Sequence, residues 1–209
     1  MFFKMIVLKK MMKIAYKGGC LILGDSPIKE NEEIVMDGLV ISTGWWSLWI
    51  NKDYIPKELK AAVIELCGEL PCYEHWFKAS ESLGNQEMIP FTEAAHPVNL
   101  FEKATQGASI TRMMMKKGSG GVMRILQNDR TDCVGAINEM IISLIDPKAI
   151  KEEDGEYPPI GPKTRNEEYY VWGNNICYLV VYPIKPLDEE KETEQTMFFD
   201  GLGGLEIPC

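Results

Sequence analysis

The chain has 209 residues, 45% of them hydrophobic, with 22 Lys and Arg against 31 Asp and Glu for a formal charge of -9. That length and apolar content suffice for one well-filled core and exclude disorder throughout. The acidic balance excludes general affinity for duplex DNA or an anionic membrane, because neutralising phosphates takes clustered Lys and Arg.

The N-terminus, "MFFKMIVLKKMMK", carries its basic residues after the apolar run and offers no small-residue cleavage site, so it does not read as an export signal. No window approaches the roughly 18 apolar residues of a spanning helix. Residues 1–12 are therefore expected to be an N-terminal extension, with the fold starting at Lys13. Residues 13–50 read as a β-rich segment: "KIAY", "CLIL", "EEIVM" and "GLVIS" are short apolar runs separated by Gly18-Gly19, Gly24-Asp25-Ser26-Pro27 and Asp37-Gly38. "GWWSLWI" then places Trp45, Trp46 and Trp49 within five residues. Such bulky side chains, each with one polar N–H, suit a half-wet boundary, and they are candidate binding residues.

Residues 51–147 are expected to be a helical region. Pro56 suits a first helical turn, Leu59, Ala62, Val63, Leu66 and Leu70 recur at helical steps, and Pro71 stops or kinks the element. Tyr73, Trp76, Phe77 and Leu83 read as its continuation, and residues 85–97 as a loop. Residues 99–115 read as a weaker helix ending at "GSGG", and residues 133–145 as the clearest helix, capped by Asp132. "MMM" (Met113, Met114, Met115) adds an adaptable apolar patch, the second group of candidate binding residues. Residues 103–130 are locally basic and read as a polar face or subunit contact. Residues 148–168 form a charged linker or loop, the length of a binding element or arm. Residues 169–209 close the chain with a β-hairpin, "EYYVW" and "ICYLVVY" about Gly173-Asn174-Asn175, and an apolar tail, "MFFDGLGGLEIPC", that must pack on this body or on another subunit. The expected class is α+β: a small central helical bundle with N- and C-terminal β-hairpins and extended arms.

Chemistry is sparse along this chain. The six cysteines are scattered with no C-x-x-C, mostly inside apolar runs, and read as buried free thiols. His75 and His96 stand at no ligand spacing from each other or from a cysteine, so neither a metal nor a cofactor is expected. Gly24-Asp25-Ser26 after "CLIL" resembles the first signature block of the SGNH (GDSL) hydrolases, in which that serine is the nucleophile. That family's Asp-x-x-His lies near the C-terminus, whereas no histidine follows His96 here. Glu93-Ala94-Ala95-His96 has the spacing but precedes "LQND" (126–129), which lacks the family's glycine. The favoured reading of Asp25-Ser26-Pro27 is a turn start, with an SGNH-like serine hydrolase or acyl-transfer enzyme using Ser26 as the alternative. "KKGSGGVM" (116–123) resembles the acetyl-CoA loop of GNAT acetyltransferases, but Met115 stands where Arg or Gln belongs, so it reads as a connector.

Three segments carry a different resemblance: "YIPKELKAAVIELCGELPCYEHWFKA" (54–79), "YYVWGNNICYLVVYP" (169–183) and "GAINEMIISLIDP" (135–147). They resemble a proline-started helix, a hairpin and a second helix of tailed-phage head-to-tail connector, neck and tail adaptor proteins. The resemblance implies a non-enzymatic subunit of a homo-oligomeric virion ring, made in the host cytoplasm and not secreted. Its partners would be portal or tail proteins, with no membrane and no specific nucleic-acid binding. Acidic lumen walls would let DNA slide past.

Overall fold

Short β-branched and aromatic runs separated by Gly, Asn and Asp favour strands. In the computed structural model, which describes residues 2–30, 33–73, 75–116, 121–146, 160–184, 201–202, 205 and 207–208, they dominate. The strands are Leu21–Asp25 (β1), Ile28–Glu30 (β2), Glu33–Met36 (β3), Gly38–Ser42 (β4), Trp46–Asn51 (β5), Trp76–Ser80 (β6), Gly84–Glu87 (β7), Gln106–Lys116 (β8), Val122–Asn128 (β9), Val134–Asn138 (β10), Ile160–Thr164 (β11), Tyr170–Gly173 (β12) and Cys177–Val181 (β13). Eleven of them make one antiparallel sheet in the order β10-β9-β8-β11-β12-β13-β5-β4-β1-β6-β7, and β2 and β3 pair separately. The helices are Met5–Lys17 (α1), Lys57–Cys67 (α2), Pro97–Lys103 (α3) and Glu139–Leu144 (α4). None of the described helices is long and apolar enough to cross a membrane.

The period-2 alternation of the central strands assigns each residue to a face. Leu39 and Ile41, Leu48 and Ile50, and Leu179 and Val181 enter one core with α1, α2 and α4; Val40, Trp49 and Tyr178 point to the other side, where α3 lies. Both faces are covered, which is why these strands read as unbroken apolar runs. The sheet curls so far that Leu126 of β9 and Ile137 of β10 share the first core with Leu21 and Phe77 near its other end. The stripe of α1 fills the middle: Leu8, Met11, Met12 and Ala15 are buried, and each of the larger three is worth about 1.5–3 kcal/mol by burial alone. Phe2 and Phe3 are buried as well, Phe3 bridging to Ile145 after α4.

The α+β bundle expectation is therefore overturned: this is a large antiparallel sheet with four short helices among the described residues. The corrections are local and physical. The fold includes α1 rather than starting at Lys13, and "KIAY" is the end of that helix. Gly68 ends α2 in the left-handed conformation before Pro71 is reached. Trp76 and Phe77 open β6 rather than continuing a helix, and a tight connection returns as β7. Residues 99–115 divide into the end of α3 and β8, while 133–145 divide into β10 and α4, with Asn138 rather than Asp132 accepting the cap bond, from Met140 N. Of the 148–168 linker, 160–164 is β11, and the stretch 147–159 lies outside the described residues. β12 and β13 form the C-terminal hairpin about Asn174, whose Oδ1 accepts from the N–H groups of Ile176 and Cys177. Among the described cysteines, all free, only Cys177 is buried; Cys72 and Cys133 are exposed.

Two glycines allow the tryptophan face to form. A Cβ on Gly24 would lie 2.1 Å from the Trp76 ring, and one on Gly38 would lie 2.2 Å from the Trp49 ring. Gly24→Ala is expected to lower stability by about 1–3 kcal/mol, since the ring has no room to retreat. Gly44→Ala, which meets nothing within 4 Å, should change it by less than ~0.5 kcal/mol; urea unfolding followed by circular dichroism compares the two.

Candidate functional site

Ser26 stands just past the end of β1, half-buried. Its N–H donates to the Gly38 carbonyl at 2.7 Å, and its carbonyl accepts from Trp49 Nε1 at 3.0 Å. One residue earlier, the Asp25 carbonyl accepts from Trp76 Nε1 at 3.0 Å. The buried Asp25 carboxylate lies 2.5 Å from Lys52 Nζ, which also reaches Asp37 Oδ2 at 2.6 Å. The two carboxylates raise the Lys52 pKa against the opposing effect of its burial.

His96 does come to this corner, its ring 6.2 Å from that of Trp49. It is not a base for Ser26. Nδ1 accepts from Val98 N–H at the start of α3, and among the described residues no hydrogen bond joins the ring to the Ser26 hydroxyl. Burial pushes the imidazole down to about 4, and the nearby Ser26 carbonyl opposes this only in part. A base of that pKa is too weak to draw a proton from a serine near neutrality. Glu93 is exposed and meets His96 through its backbone carbonyl, which accepts from His96 N at 3.2 Å. "LQND" lies at the end of β9, separated from β1 by six strands in the sheet order, and the buried Asn128 amide is committed to Gln106 and Glu167. The glycine-rich 117–120 lies outside the described residues, but it joins two paired antiparallel strands, β8 and β9, rather than a strand and a helix.

A larger apolar lining is found elsewhere. A cleft of about 400 Å³ opens between α1, the β4–β5 turn, β9, α4 and the residues just past β13. Ile14, Trp45, Met123, Met140, Tyr182 and Ile184 are among its walls, Thr43 and Asn138 are among its polar side chains, and no Asp, Glu, Lys, Arg or His occurs among its described lining residues. The turn that presents the tryptophans is held by Thr43, whose Oγ1 accepts from the N–H groups of Trp45 and Trp46 at 3.1 and 3.4 Å. Tyr182 N–H donates to the Trp45 carbonyl at 2.9 Å, tying the turn to the end of β13. Trp45 is 48% exposed and Ile14 52%, whereas Trp46 is buried beneath them. The Tyr182 phenol pKa is raised by burial.

The structure thus separates the candidate residues. Trp45 and Trp46 meet at the cleft; Trp49 belongs to the opposite face, fully buried against Tyr178 and His96. Met113 and Met115 pack on the cluster of Met123, Ile125, Val134, Ala136 and Ile207, and Met114 points outward, 56% exposed. The sequence reading missed Ile14, Met140 and Tyr182, because the walls come from helices and strands far apart in the chain. No group of His, Cys, Asp and Glu able to hold a metal occurs among the described residues. No protein-family model matches the chain, and no curated protein or solved structure matches it either.

Two outcomes follow. A fluorophosphonate probe is expected to leave the protein unlabelled; labelling that disappears in Ser26→Ala would refute the assignment of Ser26 to structure. With its pKa near 4 when folded and 6.5 when unfolded, His96 takes up a proton on unfolding between those values, so stability must fall as pH drops through that window and be unaffected by this group above it. His96→Asn keeps a cap acceptor and should lose less melting temperature than wild type between pH 7.5 and 4.5, read by circular dichroism.

Proposed function

We propose that the chain is a non-enzymatic assembly subunit that associates by seating an apolar side chain of a neighbouring copy in the cleft beside Trp45. The observation that carries this reading is the pairing of a cleft whose described walls are uncharged with half-exposed Trp45 and Ile14 at its mouth. Exposed apolar surface continuous with a pocket marks an interaction site. Met11, Met123 and Met140 give the walls the adaptability of a docking surface. Catalysis has less support, because the described walls of the cleft carry no carboxylate, imidazole, ammonium or guanidinium group to move a proton.

A ring subunit of the tailed-phage connector kind would use such a surface. The helical bundle implied by that resemblance is not what segments 54–79 and 135–147 form, so the assembly reading stands on the cleft rather than on the resemblance. Light scattering on eluting protein should give a mass above one chain that falls on dilution. Trp45→Asp, at an exposed position, should leave the melting temperature within a few degrees and lower that mass at the same concentration. A wild-type protein that stays a single chain at high concentration would sink the reading.

A further inference from the structure

The outer side of β8–β9 holds the end of the chain as a peptide-binding groove holds a ligand. Gln127 is almost fully buried, and its Nε2 donates to the Leu205 carbonyl at 2.6 Å while its Oε1 accepts from Ile207 N–H at 3.1 Å. A carbonyl and the N–H two residues on lie along the same side of an extended segment, so one side-chain amide reads both, as a neighbouring strand would. Next to it the β8–β9 register shifts between Ile110 and Met114. Arg112 N–H, inside that irregularity, donates to the Pro208 carbonyl at 2.9 Å instead of to the ladder. The Ile207 side chain is buried on Met123, Ile125, Val134 and Ala136. The site therefore has backbone recognition at three points and one apolar pocket, the two ingredients of extended-peptide capture.

Between β13 and this groove the chain has more residues than a direct connection requires. Ile184 and Leu202 pack on the same cluster as Ile207, yet the 18 residue steps between them can span roughly 60 Å. We propose that the groove made by Gln127, Arg112 and the Ile207 pocket is an exchange site that accepts the C-terminal segment of a second copy of this chain. Exchange of an identical element keeps every contact and asks only that the tether reach the neighbour. The site is distinct from the Trp45 mouth and does not rest on that reading.

The test uses full-length chains carrying Trp45→Asp, which removes the cleft contact from every arm. Ile207→Asp empties the groove while leaving it intact; Gln127→Leu disables the groove while leaving the tail intact. A fluorescent peptide of residues 201–209, GLGGLEIPC, should bind the Ile207→Asp chain with saturable anisotropy, and adding Gln127→Leu to that chain should weaken it about tenfold or more, the effect of two lost hydrogen bonds. Mixing the Ile207→Asp and Gln127→Leu chains at high concentration should give a one-to-one species of two chains by light scattering, which neither forms alone. Circular dichroism establishes that each chain is folded. A folded Ile207→Asp chain that ignores the peptide overturns the proposal, and so does peptide uptake without the mixed species, which would confine the tail to its own chain.

Discussion

Two indole N–H groups donate to two successive carbonyls, those of Asp25 and Ser26, at the point where β1 leaves the sheet. Everything at that corner is arranged around this constraint. Gly24 and Gly38 lack side chains so that the rings can lie flat on the strands. The buried Asp25 carboxylate is neutralised by Lys52, whose second partner Asp37 stands immediately before Gly38. A buried carboxylate is tolerated only with such partners. Trp49 and Trp76 also form the floor on which Val98 at the start of α3 packs, so the corner joins the small face of the sheet to its centre. The sequence "LGDSP" is thus an architectural signature in this chain: the glycine makes room, the aspartate holds a lysine, and the serine lends its backbone.

How far the sequence disclosed this fold depended on which signal was local. The α2 stripe of Leu59 and Val63, and the hairpin with Asn174 at its turn, are written in neighbouring residues and could be read directly. The element at 133–145 could not. Val134, Ile137, Ile141 and Leu144 satisfy a helical period, yet the first two belong to a strand whose Gly135 is needed to admit the buried Tyr170 ring from a distant strand. A short apolar run does not distinguish a buried strand from a helix. Trp76 and Phe77 misled in the same way, and the apolar stripe of α1 was hidden by the resemblance of its flanks to an extension.

For the site, composition pointed to the right residue types and could not sort them. Trp45, Trp46 and Trp49 are adjacent in sequence, but alternation sends Trp46 and Trp49 to opposite faces of β5 and leaves Trp45 at the turn. Gln127 carried no signal at all. Its role comes from facing a segment almost 80 residues away, a relation only the folded chain displays.

The position of α1 has a bearing on how the molecule is made. This greasy helix precedes in the chain every strand that will wrap it, and the bridge from Phe3 to Ile145 closes across most of the protein's length. Distant pairings of this kind are slow to form. On the ribosome, Leu8, Met11 and Met12 emerge before β1, α2, β6 and α4, the elements that pack on α1, which makes the nascent helix a natural client for a chaperone that shields apolar segments.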